Sequence, residues 1–109
     1  MTIKELLETL RNLPEDVMIK EVDVINSGSD RGVYCNFCLG KGNNEVPAKD
    51  LIKYIKGNVI NKKFIGYKGG TFIMNEDTTI TYGYSDCGGY EIDGILIDNE
   101  GAKIYSKWY

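Results

Sequence analysis

From Val59 to Trp108 the sequence is a succession of short runs rich in β-branched and aromatic residues, Val59–Tyr67, Thr71–Met74, Thr78–Tyr84, Tyr90–Ile97 and Ala102–Trp108, separated by Gly-, Asn- and Asp-rich turns. Runs of this kind bury apolar surface by pairing into a sheet, and a sheet needs a second layer to cover it. Asp98-Asn99-Glu100-Gly101 has the residues of a hairpin connector between the last two runs.

The cover is legible in the first half. Thr2 followed by Glu5 fits a capping box, and Ile3, Leu6, Leu7 and Leu10 recur at the spacing of one helical face. Leu13-Pro14-Glu15-Asp16 ends that helix, because proline lacks an N–H and disfavours the helical basin for the residue before it. Pro47 is placed to open a second helix with Leu51, Ile52 and Ile55 on its apolar side, Lys49, Lys53 and Lys56 opposite, and Gly57-Asn58 as a left-handed cap. Between the helices, Val17–Ile25 and Gly32–Leu39 read as a β-hairpin whose turn is Asn26 to Arg31, with the loop from Gly40 to Asn44 ending its second strand. In that second strand Val33, Cys35, Phe37 and Leu39 alternate with Tyr34, Asn36 and Cys38. The expected fold is a single α+β domain over residues 1–109, two helices packed on a mostly antiparallel, twisted β-sheet.

Charge is segregated along the chain. Seven lysines (Lys41, Lys49, Lys53, Lys56, Lys62, Lys63, Lys68) stand between Lys41 and Lys68 against Glu45 and Asp50. Seven acids (Glu76, Asp77, Asp86, Glu91, Asp93, Asp98, Glu100) and no base follow between Asn75 and Glu100. A net charge of −3 argues against direct nucleic-acid binding, whose affinity rests on neutralising phosphates. No apolar run approaches the ~18 residues of a membrane span, and the first residues lack the basic and apolar regions of a signal peptide. With three cysteines, an odd set unlike the even frameworks of secreted mini-domains, the expectation is a cytoplasmic protein without membrane contact.

The chemistry-bearing residues point to recognition rather than reaction. There is no histidine, so the usual general base at neutral pH is missing and no enzyme is expected. Cys35-Asn36-Phe37-Cys38 has C-x-x-C form and, with Cys87 and Asp86, would make up a four-ligand zinc set. In a strand, however, residues three apart project to opposite faces, so the thiols diverge; neither metal nor cofactor is expected, and Cys35 is read as buried with Cys38 partly exposed. Gly66-Tyr67-Lys68-Gly69-Gly70-Thr71 offers a cation, a hydroxyl and flexible backbone N–H groups, enough to hold a phosphate, but it lacks the order of a Walker loop and reads first as a turn. Tyr82, Tyr84 and Tyr90 surround the Gly-rich acidic turn that contains Asp86, and tyrosine suits both interfaces and nucleobase stacking.

The candidate binding residues are therefore Tyr67, Lys68, Gly69, Gly70, Glu76, Asp77, Tyr82, Tyr84, Asp86, Tyr90, Glu91 and Asp93. Such an acidic, tyrosine-lined surface can occlude a basic channel on another protein. The alternatives are a sponge that holds a small nucleotide between Tyr67–Gly70 and a stacking Tyr82 or Tyr84, and a homo-oligomer in which opposite charge patches pair between copies.

The opening Met1-Thr2-Ile3-Lys4-Glu5-Leu6-Leu7, with Leu10, Leu13-Pro14-Glu15-Asp16 and a following strand, resembles the start of many small phage and prophage proteins. Gly66 to Met74 with Asp77-Thr78 and a later Gly-rich turn is similar to a motif of uncharacterised phage proteins. The resemblance implies a short accessory phage protein in the bacterial host cytoplasm. Known jobs of such proteins are blocking a host defence effector, as anti-CRISPR proteins do, and sequestering a nucleotide immune signal.

Overall fold

The computed structural model describes residues 1–31, 33–65, 69–84 and 88–106. Helix α1 (Ile3–Arg11) buries Ile3, Leu6, Leu7 and Leu10, the residues that the helical spacing marks. Its first amides are all satisfied. Glu5 N–H donates to Thr2 Oγ1 at 3.2 Å and Leu6 N–H to the Thr2 carbonyl at 3.0 Å. Ile3 and Lys4 N–H donate to the carbonyls of Thr78 and Glu76, both at 2.9 Å. The Glu5 carboxylate completes the capping box by accepting from Thr2 N–H at 2.9 Å, and these two contacts with Thr2, the backbone one foremost, hold its carboxyl below the usual range.

Strand β1 (Met18–Lys20) is followed after Glu21 and Val22 by β2 (Asp23–Asp30), then β3 (Val33–Gly40), β4 (Glu45–Pro47) and helix α2 (Ala48–Asn58). The expected strand from Val17 to Ile25 is thus two strands. Glu21 breaks it with a left-handed backbone, φ 56°. Asn26 and Ser27, read as hairpin turn residues, sit in a bulge within β2, and the chain reverses between Asp30 and Val33. The bulge has the side-chain chemistry of a turn. Asp23 Oδ1 accepts from Ile25 N–H at 3.2 Å, and Ser27 Oγ bridges the Asp23 carbonyl and Gly40 N–H at 2.8 and 2.7 Å.

Pro47 caps α2 as expected, and the loop before β1 supplies acceptors: Ala48 N–H donates to the Val17 carbonyl at 2.9 Å and Lys49 N–H to that of Glu15 at 3.2 Å. The cap at the other end differs from expectation. The helix continues through Gly57-Asn58 to Val59, whose N–H still reaches the Ile55 carbonyl, and the left-handed residue is Asn61 at φ 62°.

The remaining strands are β5 (Lys63–Ile65), β6 (Thr71–Ile73), β7 (Ile80–Tyr84), β8 (Gly88–Asp98) and β9 (Gly101–Ser106). Seven form a mixed, mostly antiparallel sheet in the order β2-β3-β7-β8-β9-β1-β4, while β5 and β6 form a separate two-stranded ribbon. The parallel pairs are β3 with β7 and β1 with β9. Strands β1 and β2 are separated by two residues in the chain yet stand sixth and first in the sheet. In a flat sheet five strand spacings would part them by roughly 24 Å, whereas three Cα–Cα steps reach at most about 11 Å. The sheet is therefore curled. Strand β8 carries it round, pairing with β7 through Gly88–Glu91 and with β9 from Ile92 onward, with a register shift at Asp93 within the second pairing.

One core lies inside the curl. The apolar faces of α1 and α2 meet Ile19, Phe37, Leu39, Ile80, Tyr82, Ile92 and Ala102 from the sheet. The ribbon closes one side of it, with the Phe64 ring edge-on to Phe37 at 5.5 Å and Phe72 packed alongside.

Candidate functional site

Three tyrosines share one face of the β7–β8 pair. Tyr82 stands opposite Tyr90 and Tyr84 opposite Gly88, so Tyr84 and Tyr90 are diagonal neighbours. Tyr84 and Tyr90 are 61 % and 53 % exposed. Tyr82, 4 % exposed, belongs instead to the core, where its hydroxyl donates to the Glu21 carbonyl. Burial, with the Glu21 carboxylate and Tyr84 adding to it, pushes the Tyr82 phenol up to about 12. Of the three, the two outer rings are presented to solvent.

The acids divide by position. Asp93 is exposed at the β8 register shift, and Glu91, next to Tyr90, approaches the N-terminal ammonium at 4.0 Å. Glu76 and Asp77 occupy the turn whose carbonyls receive the first amides of α1, so both lie at the positive end of that helix dipole. The turn is held by Asn75: its side chain accepts from Asp77 N–H at 2.8 Å and its carbonyl from Thr78 N–H at 3.1 Å. Among the described residues no ion pair engages Glu76, Asp77 or Asp93. The start of α1 therefore lies against the Glu76-Asp77 turn, with the Met1 ammonium just before it facing Glu91.

Gly69 and Gly70 lie in the connection between β5 and β6, and Gly69 has φ 88°, the conformation a tight turn asks of glycine. Tyr67, Lys68, Asp86 and Cys87 lie outside the described residues, as do Trp108 and Tyr109. The lysine-rich and acid-rich segments meet next to the ribbon, where Met74 N–H donates to the Lys62 carbonyl at 3.1 Å and Asn61 N–H to the Met74 carbonyl at 2.7 Å.

The cysteine expectation is reversed. Cys35 is exposed and Cys38 fully buried, on the face opposite Phe37 and Leu39. There Cys38 lies level with Thr81, and burial pushes its thiol up to about 11. This site belongs to a cluster that no sequence pattern announces. Asp30, 4 % exposed, accepts from Thr81 Oγ1 at 2.9 Å through one carboxylate oxygen and from Gly89 N–H at 2.8 Å through the other. A side chain on Gly89 would place its Cβ 2.3 Å from Thr81 Oγ1 and 2.8 Å from Cys38 Sγ. The cluster is a clasp of β2 onto β7 and β8, with Thr81 Oγ1 and Gly89 N–H donating to Asp30 and the Cys38 thiol directed at the Leu39 carbonyl.

Between the end of α1 and the start of α2 is a cleft of about 190 Å³ lined by Leu10, Arg11, Leu13, Glu15, Ala48, Lys49 and Ile52. Its Lys49 is already paired with Asp16 at 3.1 Å, which raises the lysine's pKa. No helix among the described residues is long and apolar enough to cross a membrane.

Comparison with protein-family models, with curated proteins and with solved structures gives no match. The functional reading rests on the chain's own surface.

Proposed function

We propose that this is a non-enzymatic binding protein that docks on a basic surface of a partner protein through the β7–β8 face carrying Tyr84 and Tyr90, in the anionic field of Glu91 and Asp93, which follow Tyr90 along β8. The observation that carries this reading is the pair of tyrosines. Two adjacent aromatic rings more than half exposed, beside carboxylates, present apolar contact area with polar tips in an anionic field. The acids speed the encounter with a cationic partner and the rings supply contact area once water is expelled. Both are built on a hydrogen-bonded strand pair, which lowers the ordering cost of binding.

The narrower form of the proposal is a phage-encoded inhibitor that covers the basic nucleic-acid channel of a bacterial defence effector in the host cytoplasm. Its support is the resemblance of the opening and of the Gly66–Met74 segment to small phage proteins, together with the acid-rich second half of the chain. The test is DNA cleavage by purified CRISPR effector complexes in the presence of the wild-type chain and of a Y84A/Y90A/E91Q/D93N variant. Stoichiometric inhibition by the wild type, weakened at least about tenfold in the variant and by added salt, is the expected result. Equal inhibition by both chains removes the face from the proposal; no inhibition of any effector removes the narrower form.

A further inference from the structure

The cleft of about 190 Å³ between the end of α1 and the start of α2 has an aliphatic lining of Leu10, Leu13, Ala48 and Ile52. Leu10 and Ala48 are fully buried, Leu13 and Ile52 half-buried. Its rim is fixed by backbone bonds. Leu13 N–H donates to the Leu10 carbonyl and Val17 N–H to that of Pro14, both at 3.1 Å, and Lys49 N–H reaches across to the Glu15 carbonyl at 3.2 Å. The cleft is therefore held in shape before anything enters it, which lowers the ordering cost of binding.

Three charged residues complete the lining, Arg11, Glu15 and Lys49. Lys49 is taken up by Asp16 at 3.1 Å, whereas among the described residues neither Arg11 nor Glu15 enters an ion pair. The pKa of Lys49 is raised foremost by its hydrogen bond to Asp16 and least by the Glu15 carboxylate. One guanidinium and one carboxylate thus stand uncommitted beside an aliphatic surface. The helices add a field of the same kind, since the cleft lies between the partly negative end of α1 and the partly positive start of α2. Both signs in one small site disfavour a plain anion and a plain cation alike. Size narrows the ligand further: 190 Å³ is the share of roughly six waters, well below the roughly 300–1,000 Å³ of pockets that hold drug-sized molecules. A nucleotide is too large for it.

We propose that this cleft binds a free aliphatic α-amino acid of the size of leucine. The side chain lies on Leu10, Leu13 and Ile52, the carboxylate pairs with Arg11, whose planar fork matches it, and the ammonium pairs with Glu15. The N-terminal residue of a peptide lacks the carboxylate, and the C-terminal residue lacks the ammonium. The free amino acid meets both charges at once. This site uses neither Tyr84 nor Tyr90, and the proposal does not depend on docking to a partner protein.

Titration of the isotope-labelled chain with leucine, followed by the NMR shifts of its backbone amides, tests the proposal. Saturable shifts centred on Leu10–Glu15 and Ala48–Ile52 are expected, with a Kd of about 1 mM or tighter. Leucinamide, which lacks the carboxylate, and N-acetyl-leucine, which lacks the ammonium, are each expected to bind at least about tenfold more weakly. R11Q is expected to bind leucine no better than leucinamide, and E15Q to bind leucine no better than N-acetyl-leucine. A merely structural role of either residue would leave that selectivity unchanged. Both side chains are exposed, and an otherwise unchanged amide spectrum shows that the fold is intact. No saturable shift up to about 10 mM leucine overturns the site. Undiminished binding of leucinamide or of N-acetyl-leucine overturns the free amino acid and assigns the cleft to a peptide end. Wild-type affinity and selectivity in R11Q and E15Q overturn the assigned contacts.

Discussion

The Tyr82 hydroxyl donates to the carbonyl of Glu21, the residue whose left-handed backbone separates β1 from β2. Tyr82 is on β7, near the middle of the sheet, and Glu21 is where the chain crosses between its two halves. The bond therefore ties the curl across its interior. Tyr54 does the same from α2, its hydroxyl donating to the Val24 carbonyl at 3.3 Å, and burial raises its pKa as well.

Alkaline pH should loosen this tie. The Tyr82 phenol is raised from 10.0 to about 12 in the folded chain, so between those values the unfolded chain loses its proton first and stability falls as pH rises. Cys38, raised from 9.0 to about 11, contributes in the same direction between pH 9 and 11. Each contribution is of the order of 2 kcal/mol, fully present below the lower value. Urea unfolding at pH 8, 10 and 11 should show declining stability in the wild type. Y82F, which lacks the ionisable hydroxyl, should be about 1–2 kcal/mol less stable at pH 8 but have a shallower decline above pH 10. An unchanged slope in Y82F would place the alkaline sensitivity elsewhere.

The Asp30 clasp should be worth more than a surface contact. Asp30→Ala leaves the partly buried Gly89 amide without its acceptor and the Thr81 hydroxyl with only its 3.4 Å contact to the Phe37 carbonyl, and the expected loss is about 1–3 kcal/mol. Gly89→Ala forces a methyl group into Thr81 and Cys38 and should cost about 1–3 kcal/mol. Because the two changes act on one contact, the double variant should lose less than their sum. Chemical denaturation of the two single variants and the double variant measures this directly; strict additivity would contradict a shared clasp.

Thiol labelling distinguishes the two described cysteines. In a C87S background, a thiol reagent at pH 8 should react promptly with exposed Cys35, whereas Cys38, buried and with its thiol pKa near 11, should wait for unfolding. Mass spectrometry is expected to find one label on the native chain and two after denaturation. Two labels on the native chain would mean that the sheet opens around Cys38 on the labelling timescale.

The local elements were legible because their signals are local. The helix Ile3–Arg11 follows from a capping box and an apolar stripe within nine residues, and Pro47 marks the start of the second helix. The strands after Ile60 agree with the extended runs, although the first begins only at Lys63, since Val59 and Ile60 still bond back to Ile55. Asn26 and Ser27 show the limit: their turn chemistry was recognised, but the same side-chain bonds serve a bulge as well as a hairpin. The exposures of Cys35 and Cys38 were reversed because alternation along a strand says which residues share a face, not how far the cover extends along it.

The candidate site divides in the same way. That Tyr82, Tyr84 and Tyr90 gather on one face follows from their spacing in two paired strands. That Tyr82 is lost to the core, while Tyr84 and Tyr90 remain exposed, depends on how far the curled sheet closes over them. The acid turn at Glu76 and Asp77 gains its place from helix α1, more than seventy residues earlier in the chain. Asp30, Thr81 and Gly89 meet across separations of 51 and 59 residues, which no periodicity encodes. What the amino-acid sequence determined alone was the two helices, the extended runs of the second half and the segregated charge, because hydrogen bonding and side-chain sterics act between near neighbours; the break at Glu21 and the short strand Glu45–Pro47 were not among them. Strand order, the curl and the partners of each buried polar group were decided only by tertiary structure, where one core has to be enclosed and each buried polar group has to be met.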